Sequence, residues 1–293
     1  MSAHPLGQLT APNGVQIWRH YVPSRYGQTH VLSARPANAR AATQRPLVCL
    51  HQSPMSGDVW LDFLPHMATD RIVHCPDTPG FGASDGPPPS DIKGKPDIRD
   101  LGLGMVDTLE SLGFSGSEPA DVFGFHTGSM VATELTLARP ELVNRMVLCG
   151  FPYYEADMRM KMEERFVTPY AFLTDPDYAP DMYDRMVLNG ASDLTPEERL
   201  AAFTDRMRAG PRGQEGPDAV WRYDADAGLS ALAALDKPTL WITFNEVLTE
   251  PAKEARRRFF PDSALAQLEH LPMVGFKHGP EDVAAALRQF LDG

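Results

Sequence analysis

The chain has 293 residues, 43% of them hydrophobic and 23% charged, which is ordinary for a soluble globular protein and leaves ample material for a core. Its 27 basic and 39 acidic residues give a net charge of −12, which disfavours binding to nucleic acid or to an anionic membrane. No apolar run approaches the roughly 20 residues of a membrane span. The first residues lack the charged and apolar regions of a signal peptide, so we expect a cytoplasmic protein.

Three cysteines, Cys49, Cys75 and Cys149, each fall inside an apolar stretch that predicts a buried strand. An odd number at this spacing indicates neither a disulfide framework nor a metal site. Free cysteine is also among the most buried residue types, so we expect three ordinary buried thiols. The glycine-rich loops lack the spacing of nucleotide-binding motifs, and we predict no cofactor.

The first part of the chain predicts the beginning of a sheet. Residues 15–22 and 29–34 favour two strands, which would form a hairpin at the sheet edge. The short apolar runs 46–50 and 72–75 are typical of strands covered on both faces. Apolar residues then recur at helical spacing over 98–112, and the pattern ends at a glycine.

The second part continues this alternation, with one interruption. The run 145–150 predicts another buried strand. Strand signals then vanish over 155–235, where Met and aromatic residues occur among charges and prolines. The sheet resumes at 238–244 and 264–268, and a last helix follows. Strands that alternate with helices and are joined by short glycine-containing loops predict an α/β protein with a doubly wound, mostly parallel sheet.

The stretch 121–130 is the one around which the chain is organised. An apolar strand ends at Gly124, turns through His126 and Thr127, and leaves by Gly128 into a helical pattern. Small residues two positions before and after the apex are what a strained turn needs if it is to lift one side chain clear of the backbone. The apex side chain is His126, so we expect an imidazole that faces a cleft.

This turn resembles the nucleophile elbow of the α/β-hydrolase superfamily, whose pattern is GxSxG or the same with Cys or Asp at the centre. The chain reads GFHTG, so His126 stands at the nucleophile position. HQSP at 51–54, DTPGFGASD at 77–85, and Glu246 with His278 extend the resemblance, in the family's order, over nearly the whole chain. The HQSP and GFHTG segments are similar to those of a branch of the superfamily that reads HQ[ST]P and GxHTG.

The resemblance implies a division into two units. Residues 1–154 and 236–293 would form the α/β-hydrolase core domain, and 155–235 a helical cap. A cap buries its underside against the core, and pockets form at that interface, so we expect a small apolar or aromatic substrate. Three aromatic residues near the elbow and after the strand 145–150 are the candidate substrate contacts: Phe125, Tyr153 and Tyr154.

The resemblance also implies a triad-like cluster. Glu246 falls at the position of the family's acid, and His278 lies in the loop that carries the catalytic histidine, so apex, acid and histidine follow the family's order. His278 is closer to the last helix than is usual in the family. Glu155, just past the preceding strand, stays open as an alternative acid. In this arrangement Glu246 would orient His278, and His278 would shuttle protons for His126.

The HQSP loop matches the position of the family's oxyanion loop, which usually reads HGxP. By resemblance, the backbone amides of Ser53 and Thr127 would form the oxyanion hole. Gln52 replaces the usual glycine, so either the backbone departs from the family's geometry or the Gln52 side chain adds a donor. His51 would support the loop, and the loop at 77–85 would have a structural role.

Three functional hypotheses follow. The first is a cofactor-independent hydrolase of an ester, lactone or activated carbonyl of a small apolar compound, with His126 as nucleophile or water-activating base. The second is a lyase, decarboxylase or proton-transfer enzyme that uses His126 and His278. The third is a non-catalytic ligand-binding protein on a hydrolase fold. The oligomeric state stays open, including a homodimer.

Overall fold

The computed structural model describes residues 2–3, 9–87, 96–166, 175–190, 192 and 194–293. In this part of the chain, ten strands form one sheet. The strands are β1 (Ser2–Ala3), β2 (Leu9–Thr10), β3 (Gln16–Ser24), β4 (Gly27–Arg35), β5 (Leu47–Leu50), β6 (Val73–Pro76), β7 (Ala120–Phe125), β8 (Val143–Cys149), β9 (Thr239–Asn245) and β10 (Ala264–Pro272).

Helices flank this sheet. The α-helices of the described residues are α1 (Leu64–Met67), α2 (Ile98–Ser111), α3 (Thr127–Ala138), α4 (Ala156–Phe166), α5 (Tyr178–Tyr183), α6 (Pro196–Arg208), α7 (Glu215–Arg222), α8 (Ala225–Ala233), α9 (Thr249–Phe259), α10 (Gly275–His278) and α11 (Pro280–Leu291). Short 3₁₀ turns lie at Ala39–Ala41, Gly57–Trp60, Pro140–Leu142 and Gly210–Gln214, and a π turn at Asp184–Leu188.

The strand order is β1-β2-β3-β4-β6-β5-β7-β8-β9-β10. The six strands from β6 to β10 in this order run parallel, and β1 to β4 add an antiparallel edge. The prediction of a mostly parallel α/β sheet is therefore confirmed. The predicted hairpin is formed by β3 and β4, but β2 and β1 continue the sheet beyond β3, so the hairpin does not lie at the edge itself. Because β8 lies between β7 and β9, the carboxyl ends of these three strands meet at one edge of the sheet.

Both faces of the parallel strands are buried. In β5, Val48 and Leu50 face the cluster that contains α2 and α3, whereas Leu47 and Cys49 face the cluster that contains α11. Successive side chains of a strand point to opposite faces, so a strand covered on both sides reads as a continuous apolar run. All three cysteines are buried and free, as predicted.

The regular elements in the described part of the segment between β8 and β9 are all helical, from α4 to α8. Residues 167–174, 191 and 193 of the predicted cap lie outside the described residues. Leu229 and Leu232 of α8 are buried in the same cluster as α3, so the end of the segment packs with the core. The division at 155 and 235 into cap and core stays a prediction, and we call 155–235 the helical insertion.

Candidate active site

The apex of the elbow has the strained backbone that its sequence predicts. His126 has φ 49° and ψ −119°, in a region that non-glycine residues rarely occupy and that is concentrated at functional sites. A Cβ on Gly124 would lie 2.5 Å from Cα of Ser129, and one on Gly128 would lie 2.7 Å from the carbonyl oxygen of His51. The two glycines therefore let the helix α3 cross close to β7 and to the HQSP loop.

His126 and Glu246 contact each other directly. Nε2 of His126 lies 2.9 Å from Oε1 and 2.7 Å from Oε2 of Glu246. The Glu246 side chain is only 2% exposed, and that of His126 is 14% exposed. Nδ1 of His126 has no hydrogen-bond partner in the described part of the chain. With Nε2 held by the carboxylate, Nδ1 is the ring nitrogen left for chemistry.

Gly150, the residue after β8, makes room for this pair. A Cβ at Gly150 would lie 2.5 Å from Cδ2 of His126 and 2.7 Å from Oε1 of Glu246, and the residue has φ 57°. Its lack of a side chain is therefore needed for clearance as well as for backbone conformation. Our sequence reasoning missed Gly150, although a glycine that ends the strand between the apex strand and the acid strand is a usable signal.

Phe125 supports the histidine from below. Its ring centroid lies 4.0 Å from that of His126, and it packs against Phe276 at 4.7 Å and Phe244 at 6.3 Å. Phe125 has no exposed surface, so its place in the structure is a support for the imidazole, whereas the sequence had suggested a substrate contact.

The HQSP loop is held by His51. The buried His51 ring donates from Nδ1 to the carbonyl of Gln52 and accepts at Nε2 from the amide of Thr78, both at 2.8 Å. The amides of Ser53 and Thr127 have no acceptor among the described residues. Oε1 of Gln52 is buried without a partner. The two expected backbone donors are thus uncommitted, and the HQSP loop packs against the elbow, where Gly128 approaches the carbonyl of His51.

The loop at 77–85 is organised by a buried carboxylate. Asp77 accepts from the amides of Gly57 at 2.6 Å and Ala83 at 2.8 Å, and from Nδ1 of His30 at 2.9 Å. Burial raises the pKa of Asp77, but the His30 contact, the nearby His51 and the two amides outweigh it and lower that pKa. These contacts give Asp77 the structural role expected for the loop.

His278 lies apart from this pair. It is exposed at the end of α10, and no described contact joins it to His126 or Glu246. Its charged neighbour is Glu198 of α6, whose pKa is lowered first by the Thr195 amide, then by Lys277 and His278. The sequence assigned Glu246 to orient His278, but the carboxylate contacts the apex histidine instead. The alternative acid, Glu155, is exposed.

The two tyrosines after β8 point to different surroundings. The buried Tyr153 donates to Oδ1 of Asp226 at 3.2 Å and accepts from Nη1 of Arg258 at 2.6 Å, so it ties α8 to α9. The half-buried Tyr154 packs on Trp221 of α7, with ring centroids 4.9 Å apart. Burial, and then the charge of Glu246, raise the pKa of Tyr154.

A cleft of about 570 Å³ opens between the HQSP loop and the helical insertion. Gln52 and Met55 line it from the core, and Leu200 and Asp205 of α6 from the insertion. Asp205 accepts from the hydroxyl of Ser56 at 2.7 Å, and burial raises its pKa. No sequence pattern marked Asp205, because its position depends on how α6 packs on a loop 149 residues away.

The described residues contain neither a metal-ligand cluster nor a membrane span. No group of three or more of their His, Cys, Asp or Glu side chains is placed to hold a metal ion. No helix in this part of the chain is long and apolar enough to cross a membrane.

The comparisons with known proteins decide the family. The family model for the alpha/beta hydrolase fold matches residues 45–275, most of the chain. The chain belongs to the α/β-hydrolase fold family. Two curated proteins with similar sequences are enzymes of hydrolysis. The 2-hydroxymuconate semialdehyde hydrolase of Pseudomonas sp. (strain CF600) is 34% identical over 109 residues, and the match spans 36% of that protein and 36% of this chain.

This α/β-hydrolase-fold protein also matches an esterase in sequence, over most of its length. The pimeloyl-[acyl-carrier protein] methyl ester esterase of Photobacterium profundum is 24% identical over 257 residues, 84% of this chain and 94% of that protein. A thermophilic esterase from Thermogutta terrifontis has a similar structure, with a TM-score of 0.69 and 19% identity over 94% of this chain and 98% of the other. At this identity, the structural likeness shows the fold alone.

Proposed function

We propose that the protein is a cofactor-independent hydrolase of an ester, lactone or activated carbonyl of a small apolar or aromatic compound, in which His126 activates water. The observation that carries the proposal is the contact of Nε2 of His126 with the buried carboxylate of Glu246. The names of the similar curated proteins, a semialdehyde hydrolase and a methyl ester esterase, support the same class of reaction.

The His126–Glu246 pair has the chemistry of a general base. A carboxylate that accepts from one ring nitrogen fixes the tautomer, so the other nitrogen has a lone pair free to take a proton. In this reaction Nδ1 removes a proton from water while the water oxygen attacks the carbonyl carbon, and Glu246 stabilises the imidazolium that forms. General base catalysis of this kind is worth about 10²–10⁴-fold in rate.

The developing oxyanion would lie between the HQSP loop and the elbow. The amides of Ser53 and Thr127 are the proposed donors, and the side-chain amide of Gln52 is a third. Their support is that none of the described residues occupies the two backbone amides, and that Thr127 begins a helix of 12 residues, whose N-terminus favours negative charge. Losing one such donor costs about 10²–10³-fold in kcat.

The cleft supports a compound with apolar groups. Its lining includes Met55, Val59, Leu200, Met273 and Phe276, and a volume of about 570 Å³ falls within the range usual for small-molecule sites. Phe276 lines the cleft and also packs on Phe125, whose ring supports that of His126.

The test is the turnover of His126→Ala on p-nitrophenyl esters of short acyl chains. We expect kcat to fall by about 10³-fold or more, because both the base and its oriented nitrogen are lost. His270→Ala is the matched control, since His270 is an exposed imidazole that pairs with Asp282 at 2.8 Å and should keep the wild-type rate. Wild-type turnover in His126→Ala would refute the proposal.

Two further measurements separate the alternatives. Reaction in ¹⁸O-labelled water places one labelled oxygen in the acid product of a hydrolase and none in the products of a lyase or decarboxylase. Rapid quenching followed by mass spectrometry detects an acyl group on His126 if this residue attacks the carbonyl itself. Saturable binding of an apolar ligand without any product would favour the ligand-binding protein.

A further inference from the structure

The helical insertion places a carboxylate in the wall of the cleft. Asp205 of α6 is half-buried and lines the cleft from the insertion. Gln52, which precedes the proposed oxyanion donor Ser53, lines the same cleft from the core. We propose that the compound hydrolysed in this cleft carries a protonated amine that pairs with Asp205, an assignment that rests on the proposed hydrolase function.

One oxygen of the Asp205 carboxylate is held by the protein and the other is free. Oδ2 accepts from the hydroxyl of Ser56 at 2.7 Å, and Ser56 is buried in the core. Oδ1 accepts no hydrogen bond from any described residue, and the protein does not enclose it. The bond from Ser56 thus fixes the carboxylate and leaves Oδ1 for a donor on a molecule bound in the cleft.

No cation of the described residues forms an ion pair with Asp205. Arg208 follows one turn later and lines the same cleft, but its charge acts on Asp205 from beyond the distance of an ion pair. Burial raises the pKa of Asp205 by more than His51 and Arg208 lower it. This balance is typical of a carboxylate that has lost water without gaining a charged partner, and a ligand with a cation supplies that partner.

Other charged side chains of the cleft differ from Asp205 because they already have partners. Nζ of Lys277 lies 3.2 Å from a carboxylate oxygen of Glu198, and Asp58 pairs with Arg19 at 2.9 Å. These pairs neutralise their own charges, whereas the charge of Asp205 stays uncompensated. A cationic compound gains a charge-assisted hydrogen bond at Asp205, and an anionic compound meets repulsion there.

The distance between the two binding groups suits a short molecule. Ser53 and Ser56 are three residues apart in the chain, so their Cα atoms are separated by at most about 11 Å. Met55, between them in the chain, also lines the cleft. A compound with its carbonyl at Ser53 therefore reaches the carboxylate bonded to Ser56 with a body of about one aromatic ring.

The experiment compares p-nitrophenyl esters of 3-phenylpropanoic acid that differ only in the para substituent of the phenyl ring. The three substituents are aminomethyl, hydroxymethyl and ethyl, which have similar sizes, and only the first is a cation at pH 7. We expect the wild-type kcat/KM of the aminomethyl ester to exceed those of the other two by at least about tenfold, because only an ammonium group forms a charge-assisted bond between opposite charges.

Asp205→Asn removes the charge and keeps an oxygen that accepts from Ser56. The ratio of kcat/KM between the aminomethyl and ethyl esters should fall at least fivefold. The loss should reside in KM of the aminomethyl ester, because the ion pair is present in the ground state and the transition state alike. This ratio does not depend on the folded fraction of the variant, so a loss of stability does not imitate the expected result.

Glu197→Gln is the matched control. Glu197 belongs to the same helix and borders the same cleft, but it is exposed to solvent. The substitution removes one negative charge where water screens it, so the ratio should stay within about twofold of the wild type. An equal fall in both variants would show that the preference comes from the negative charge of the whole cleft and would overturn the role of Asp205.

Three further results would overturn the proposal: a wild-type ratio near one, an unchanged ratio in Asp205→Asn, and a hydroxymethyl ester as good as the aminomethyl ester. If His126→Ala abolishes hydrolysis while the three esters react equally in the wild type, only the preference for a cation is wrong. If His126→Ala keeps the wild-type rate, the proposed function fails. Calorimetry with the primary amides of the same acids then tests Asp205 separately, and equal Kd values for the aminomethyl and ethyl amides would overturn the pairing.

Discussion

Two histidine regions that the sequence joined into one cluster are built very differently. At the elbow, strained backbone, glycine clearances, a buried carboxylate and an aromatic support all act on His126. In the loop before the last helix, His278 is exposed and lies next to the lysine that pairs with Glu198. Strain and close packing that fix the position of one side chain indicate that this position matters for function. His278 has none of these features.

The largest effect that separates the two regions is expected from Glu246→Gln. The amide keeps the size of the side chain but cannot hold the imidazole in the same tautomer or stabilise its charge, so kcat should fall by about 10²–10⁴-fold. Steady-state turnover of a p-nitrophenyl ester measures this. Glu250→Gln is the control, because Glu250 is a glutamate one turn later whose side chain is 82% exposed; a similar loss in both variants would contradict the role of Glu246.

Gly150→Ala tests whether the elbow depends on clearance. The added methyl group would meet His126 and Glu246, and the residue would be held at a positive φ. Overpacking costs about 1–3 kcal/mol, and the left-handed conformation about 1–2 kcal/mol more. We expect a free energy of unfolding lowered by about 2–5 kcal/mol in urea titrations, together with at least a tenfold loss of kcat.

A second glycine provides the control for this variant. Gly113 has φ 96°, and a Cβ there would meet nothing within 4 Å. Gly113→Ala should therefore show the conformational cost alone, about 1–2 kcal/mol, with the wild-type kcat. If Gly150→Ala behaves like Gly113→Ala in both measurements, the packing of Gly150 against the pair is unimportant.

The sequence predicted the elements of this fold well, because burial on both faces and glycine turns leave local signals. The strands that end at Leu50 and just before His126 and Glu246 were found from apolar runs, and their parallel direction places the apex and the acid at the same edge of the sheet. His126 and Glu246 can contact each other because both lie at that edge. This contact was not foreseen, because the family's order suggested that the acid would meet His278.

Side-chain direction in short loops was the part that the sequence did not reveal. Tyr153 and Tyr154 are neighbours, yet one is tied to α9 and the other packs on Trp221 of α7. Phe276 is 2% exposed within the aromatic cluster, and His278, two residues later in the same short helix, is exposed. In a helix of a single turn, the side chain that faces the interior depends on the residue at which the helix begins. A segment this short is too brief to show a periodic pattern from which that residue could be predicted.

Asp77→Asn should have a smaller effect, on stability and its pH dependence. Because the folded-state pKa of Asp77 is lowered, its contribution is present above the unfolded pKa of about 3.9 and is lost as pH falls through the lower folded value. The variant should lose about 1–3 kcal/mol at pH 7 and show a weaker decline of stability below about pH 4, measured by thermal unfolding across pH.

Asp107→Asn calibrates this prediction. The pKa of Asp107 is also lowered, first by its hydrogen bond from Arg25, but that pair is at the surface, with side chains 37% and 23% exposed. Such pairs contribute about 0–1 kcal/mol. A loss in Asp77→Asn no greater than in Asp107→Asn would mean that the buried network does not hold the loop.

The smallest effect is expected from His278→Ala. The exposed ring makes no described contact with the His126–Glu246 pair, so kcat should stay within about threefold of the wild type and the free energy of unfolding within about 0.5 kcal/mol. Both are read from the assays used for Glu246→Gln. A loss as large as that of His126→Ala would require the loop of α10 to move His278 towards the elbow during turnover. It would restore the triad that the family's order predicts, with the chain in a conformation different from this one.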